Sequence, residues 1–82
     1  MNQEHYKRAQ NGDKNLKGAD LNSAYLPRAN LAGADLAGAD LRDTNLRDTN
    51  LEGAKLTRTD LRHANLAGAD LAGADLAGAD LY

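Results

Sequence analysis

The chain has no cysteine, no tryptophan and no phenylalanine, and it has a single proline, Pro27. Without thiols there is neither a disulfide framework nor a thiolate metal site, and without large aromatic side chains the core cannot be built around aromatic rings. Neither sign of charge dominates, since ten Lys and Arg stand against twelve Asp and Glu for a net charge of −2. That balance argues against a protein made for nucleic acid or for a membrane surface. Long apolar runs are also missing, and the polar opening MNQEHYKRAQ has no hydrophobic stretch of signal-peptide type. The expectation is a soluble, cytoplasmic chain with no membrane span. Eighty-two residues allow one small domain, because so short a chain buries only a modest fraction of its surface in a conventional core.

What is present is a repeat. Leucine stands at 16, 21, 26, 31, 36, 41, 46, 51, 56, 61, 66, 71, 76 and 81, a strict spacing of five, and nowhere else. From Ala19 to Ala79 the residue two places before each Leu is Ala or Thr, and the residue just before it is Asn or Asp except at Tyr25 and Lys55. A period of five matches neither the 3.6 of an α-helix nor the 2 of a strand, so the chain must turn within each unit. If Ala, Asp and Leu form a short extended piece, Ala and Leu point to one side and Asp to the other. The two remaining residues are the central pair of a β-turn. Seven of the eight glycines, Gly18, Gly33, Gly38, Gly53, Gly68, Gly73 and Gly78, fall at the second corner position, where a type II turn needs a positive φ. Pro27 falls at the first corner position, which its fixed φ suits. Ser23, Arg28, Asp43, Asp48, Arg58 and His63 hold the glycine slot elsewhere, and a different turn type is expected at some of those corners.

Units such as AGADL, RDTNL and RHANL resemble the pentapeptide-repeat proteins, whose pattern centres on A(D/N)LXX, and the resemblance runs from Lys14 to Tyr82. It implies an all-β solenoid, a right-handed quadrilateral β-helix in which four units form one square coil of twenty residues. The Leu and the residue two before it then point inward, making Leu21, Leu26, Leu31, Leu36, Leu41, Leu46, Leu51, Leu56, Leu61, Leu66, Leu71 and Leu76 the inward core. About three and a half coils fit, a rod roughly 17 Å tall at the strand spacing of about 4.8 Å. Residues 13–82 are assigned to this β-helix and residues 1–12 to a cap. Glu4 to Gln10 are predicted to form a short helix, stopped by Asn11 and Gly12, with Tyr6 and Ala9 facing Leu16. At the other end Leu81 and Tyr82 close the repeat without a polar cap, and a homodimer through this C-terminal coil is expected.

Residues twenty apart should lie in vertical columns. Asp20, Asp40, Asp60 and Asp80 then form a candidate acidic interaction column, with Arg42 and Arg62 placed to neutralise it in part. Tyr25, Asn45 and Asn65 share another column, where an amide ladder is expected, and Tyr25 beside Pro27 is a candidate contact point. Ser23, Asp43 and His63 share a corner column and have the residue types of a hydrolase triad, but the order puts Asp rather than His in the middle. An Asp43–His63 surface ion pair is the expected reading. No catalytic residue, cofactor, metal or nucleic acid is predicted: His5 and His63 have no ligand spacing, and a basic stripe with aromatic platforms is absent.

These observations favour a non-enzymatic structural or protein–protein interaction module. Two alternatives stand beside it. The resemblance extends to family members understood to inhibit DNA gyrase, a type II topoisomerase, by DNA mimicry, which an acidic stripe would serve. The near-identity of LAGADLAGADL at 31–41 and 66–76 would also suit an engineered consensus-repeat scaffold.

Overall fold

A computed structural model describes Met1–Tyr82 as one short helix set on a stack of square coils. The square arises from the pairing. Parallel bridges join Asn15 to Asp35, Asp20 to Asp40, Tyr25 to Asn45 and Asn30 to Asn50, and the same offset of twenty continues to Asp60 and Asp80. Four faces therefore run up the rod without interruption. They are identified by their outward residues: Asn15, Asp35, Lys55 and Asp75 on the first, Asp20, Asp40, Asp60 and Asp80 on the second, Tyr25, Asn45 and Asn65 on the third, and Asn30, Asn50 and Asp70 on the fourth.

Each unit contributes a repeated set of backbone hydrogen bonds. Leu16 N–H donates to the Asp35 carbonyl at 2.9 Å, Asp35 N–H to Lys14 at 2.7 Å, and Gly18 N–H to Ala37 at 2.9 Å. Within the corner, Ala19 N–H closes the turn onto the Leu16 carbonyl at 3.0 Å. Backbone polar groups are thus satisfied coil to coil, and the interior is left to Leu and Ala. Leu16 through Leu61 are all buried, whereas Leu66, Leu71 and Leu76 in the last coil point inward but remain half-exposed, because no coil covers them. Thr44, Thr49 and Thr59 replace Ala in the interior and are fully buried. Their hydroxyls donate to the Leu41, Leu46 and Leu36 carbonyls at 2.7, 2.8 and 2.7 Å, so no buried donor is left open among them.

The expected change of turn at the non-glycine corners does not take the form of a different backbone hand. Ser23, Arg28, Asp43, Asp48, Arg58 and His63 all keep a left-handed φ of 55–63°, beside 67–72° at the glycine corners of the repeat. The turn bond is kept as well, for example Thr59 N–H to Leu56 at 3.2 Å. Coil stacking fixes the corner geometry whatever residue occupies it, and an L side chain there is held against its local preference.

Helix α1 spans Gln3–Gln10, one residue longer at its start than predicted. Asn2 caps it, its side-chain oxygen accepting from the His5 N–H at 3.1 Å. It ends in a Schellman arrangement, with Gly12 at φ 76°, Asp13 N–H on the Arg8 carbonyl at 2.9 Å and Gly12 N–H on Ala9 at 3.1 Å. Ala9 is fully buried in the same cluster as Leu16, and Tyr6 packs on that cluster from its edge. The Cα extents are 27 × 21 × 21 Å, which accords with about 17 Å of stacked coils plus about 10 Å for a helix laid across them.

Candidate interaction surfaces

The outward Asp and Asn residues have a local role that periodicity alone does not reveal. Their Oδ1 atoms accept the backbone N–H two residues on, at the first corner position: Asp35 from Ala37 at 3.0 Å, Asn45 from Arg47 at 3.0 Å, Asn50 from Glu52 at 3.0 Å, Asp70 from Ala72 at 3.0 Å. That N–H is used by no other coil, so a short side-chain acceptor completes the turn. The exception at Tyr25 is explained by the proline two residues on. Pro27 has no N–H to satisfy, and the column position is free to hold an aromatic ring. The signal is present in the sequence as an Asp or Asn two residues before the first corner, with a proline there after Tyr25; Lys55, followed by Thr57, is the exception that has neither.

This role also removes the amide ladder expected on the third face. Asn45 and Asn65 each use Oδ1 on their own turn, and no bond joins the two side chains. The corner column of Ser23, Asp43 and His63 holds neither a triad nor the expected ion pair. The Ser23 hydroxyl donates to Asn22 Oδ1 at 3.0 Å, and no Asp43–His63 contact falls within salt-bridge distance.

On the second face the four carboxylates are not a bare acidic stripe. Arg42 grips Asp40 with two parallel bonds, Nε to Oδ1 at 2.9 Å and Nη2 to Oδ2 at 2.8 Å, while its Nε lies 3.8 Å from Asp60 Oδ2. One coil on, Arg62 repeats the arrangement with Asp60 at 2.8 and 2.7 Å and lies 3.8 Å from Asp80. Paired forks of this kind are the strong form of the Arg–carboxylate bond. Hydrogen bonding from Arg42 holds the Asp40 carboxyl below the ordinary carboxylate range, and Arg62 does the same for Asp60. Reciprocally, both guanidinium groups are pushed further toward the charged form by those hydrogen bonds. Asp20 has no Arg partner; its Oδ2 is 3.7 Å from the Met1 amino group.

Helix α1 closes the N-terminal edge of the first coil with polar groups as well as apolar ones. His5 Nδ1 accepts the Asp20 N–H at 2.9 Å, Asn2 N–H donates to the Asp20 carbonyl at 3.1 Å, and the Tyr6 hydroxyl donates to the Tyr25 carbonyl at 2.8 Å. Beside this seam lies a cavity of about 430 Å³ lined by Tyr6, Gln10, Tyr25, Leu26, Pro27, Arg28, Ala29 and Asn30. At the opposite end Leu81 is 57% and Tyr82 92% exposed. No group of His, Asp and Glu converges as a metal site, and no helix is long and apolar enough to cross a membrane.

The family model described as pentapeptide repeats matches eight copies across residues 15–53 and 44–81. The chain belongs to the pentapeptide-repeat family. Its coils are those of the family's right-handed quadrilateral β-helix, as solved relatives bear out. HetL from the cyanobacterium Nostoc sp. strain PCC 7120, a pentapeptide-repeat protein involved in heterocyst differentiation regulation, is 38% identical at a TM-score of 0.56, over 79% of this chain and 35% of HetL. A pentapeptide-repeat protein of the Arabidopsis thaliana thylakoid lumen is 34% identical at a TM-score of 0.51, over 79% of this chain and 41% of its own. This pentapeptide-repeat chain therefore spans well under half the length of either structure. Comparison with curated proteins gave no match.

Proposed function

We propose that this pentapeptide-repeat chain is a non-enzymatic interaction module that meets a second copy of itself through its C-terminal coil. The observation that carries the reading is the open last layer, where Leu66, Leu71 and Leu76 are half-exposed and Leu81 is largely exposed. Around it the N–H groups of Leu66, Leu71 and Leu76 and the carbonyls of Ala64, Ala69 and Ala74, which every earlier coil pairs with the next, have no partner within the chain. The N–H groups of Gly68, Gly73 and Gly78 are open there as well, so donors outnumber acceptors two to one, and it is the shared apolar layer rather than backbone pairing that a two-fold contact would bury. From extents of 21 × 21 Å across the rod, such a contact buries on the order of 400 Å² per copy, below a standard interface, and a weak, concentration-dependent dimer is expected.

The family relationship and the absence of a triad geometry on the corner column support a binding role over catalysis. The gyrase-mimic reading is weakened by the Asp–Arg ladder, because Arg42 and Arg62 answer the charge that imitation of a phosphate backbone would require. Sedimentation across a concentration series, for the parent chain and Leu81→Asp, tests the proposal. A parent that associates and a variant that does not is expected. A parent monomeric throughout overturns the dimer, and saturable inhibition of gyrase supercoiling would restore the mimic.

A further inference from the structure

The N-terminal edge of the first coil is only partly covered by α1. Helix groups take the Asp20 N–H and carbonyl and the Tyr25 carbonyl. Further along the third and fourth faces, the Pro27 carbonyl and both the N–H and the carbonyl of Asn30 have no hydrogen bond within the chain, and neither does the Tyr25 N–H. In every later coil the equivalent groups are paired with the coil before them: the Asn50 N–H with the Ala29 carbonyl at 3.0 Å, its carbonyl with the Leu31 N–H at 2.8 Å, and the Arg47 carbonyl with the Arg28 N–H at 2.8 Å. The segment from Tyr25 to Asn30 is thus a strand edge without a hydrogen-bonded neighbour, with Gly12 after α1 standing beside the Asn30 carbonyl, and it forms one wall of the 430 Å³ cavity.

Two charges stack at this corner, Arg28 in the first coil and Asp48 in the next. Arg28 is exposed and has no carboxylate within ion-pair distance. The residue stacked on it in the next coil, Asp48, is engaged by Arg47, Nε to Oδ2 at 3.9 Å. Arg28 is held at a left-handed φ of 60°, a conformation its side chain disfavours, and its guanidinium makes no ion pair within the chain. Beside it the Tyr25 ring, 64% exposed, and Pro27 offer an apolar flank.

We infer that the Tyr25–Asn30 edge binds a short extended peptide carrying an acidic side chain. The peptide backbone adds to the edge beside the end of α1, accepting from Asn30 N–H and donating to the Pro27 carbonyl. Tyr25 and Pro27 contact an apolar residue of the peptide, and its carboxylate pairs with Arg28. The inference rests on the chain being an interaction module but not on the dimer, since the two sites lie at opposite ends of the rod.

The probe is acetyl-Thr-Val-Asp-Val-Thr-amide, titrated into ¹⁵N-labelled chain and followed by amide chemical shifts, beside a twin with Lys in place of Asp and beside sodium acetate. Saturable shifts centred on Tyr25, Arg28 and Asn30 with a Kd of about 1 mM or tighter are expected, at least about ten-fold weaker for the Lys twin. Arg28→Gly relieves the left-handed φ and keeps the fold, so a similar loss of affinity in that variant is expected with undiminished thermal stability; Tyr25→Ala supplies an independent loss. No saturable shift, shifts confined to Leu66–Leu81, equal binding of both peptides, or the same shifts with acetate would each overturn the inference. Binding by a chain that sedimentation finds monomeric would leave this site standing while the C-terminal dimer falls.

Discussion

Replacing a single leucine by alanine on one face should cost very different amounts in adjacent coils. Leu46 and Leu66 occupy the same face, one coil apart, but Leu46 is fully buried and Leu66 half-exposed. Truncating Leu46 removes three carbons from a closed interior, about 2.4 kcal/mol of transfer free energy at roughly 0.8 per methylene. The four walls are held apart by inter-coil hydrogen bonds and cannot close on the gap, so a cavity term brings the cost to about 3–5 kcal/mol. Truncating Leu66 forfeits about half the transfer term and leaves no enclosed void, so about 1–1.5 kcal/mol is expected. Against a total stability of roughly 4–12 kcal/mol for a chain of this length, the first change should remove roughly a quarter of the stability or more and the second roughly a tenth to a third. Urea denaturation followed by circular dichroism reads both. If a second copy covers the last coil, the cost at Leu66 should grow with protein concentration while that at Leu46 stays fixed. Equal costs at the two positions would refute the reasoning.

Three further outcomes are expected. Leu46→Lys buries an unpaired charge and should abolish cooperative thermal unfolding; a retained parent-like transition contradicts the inward placement. Arg58→Gly removes a left-handed arginine at φ 55° and should raise stability by up to about 1 kcal/mol, whereas Gly68→Ala should lower it, because it puts an L side chain at a left-handed φ of 72° and makes the Asp48 carboxylate swing aside; thermal melts that rank the two the other way contradict the corner geometry. Asp40 and Asp60 titrate below their ordinary value in the fold, so their contribution is fully present above about pH 4 and is lost as the pH falls through their lowered values. Arg42→Gln together with Arg62→Gln should therefore move the acid-unfolding midpoint upward, and an unchanged midpoint would mean the ladder adds nothing to stability.

The repeat is legible because its signal is redundant: a leucine every fifth residue demands a turn in each unit and stacking to bury them all, while the offset of twenty is what the resemblance to the pentapeptide-repeat family implies and not what the period dictates. Pairing of Arg42 and Arg62 with the aspartate column is legible once that offset is granted, since the columns derive from it. The bidentate forks are not, because they depend on rotamers. Asn45 and Asn65 mislead: a column position suggests side chains reaching to each other, but the nearest unsatisfied donor is the N–H of their own turn. The Asp43–His63 pair has nothing but proximity in its favour, and proximity is not enough. At the N-terminal edge, Ala9 and Tyr6 are placed by their apolar character, while the His5 acceptor on Asp20 depends on how α1 is laid across the coil, which no local pattern encodes.

The constancy of the four walls makes this fold sensitive to the size of an indel in an unusual way. Inserting twenty residues between coils would lengthen the rod and leave every column intact. Inserting a single five-residue unit would preserve the leucine interior equally well, yet rotate everything after it by a quarter turn. An insertion before Arg42, for instance, would leave Asp40 behind while the arginine moved to the next wall. Stability and surface chemistry can therefore be altered separately, by choosing between whole turns and fractions of one.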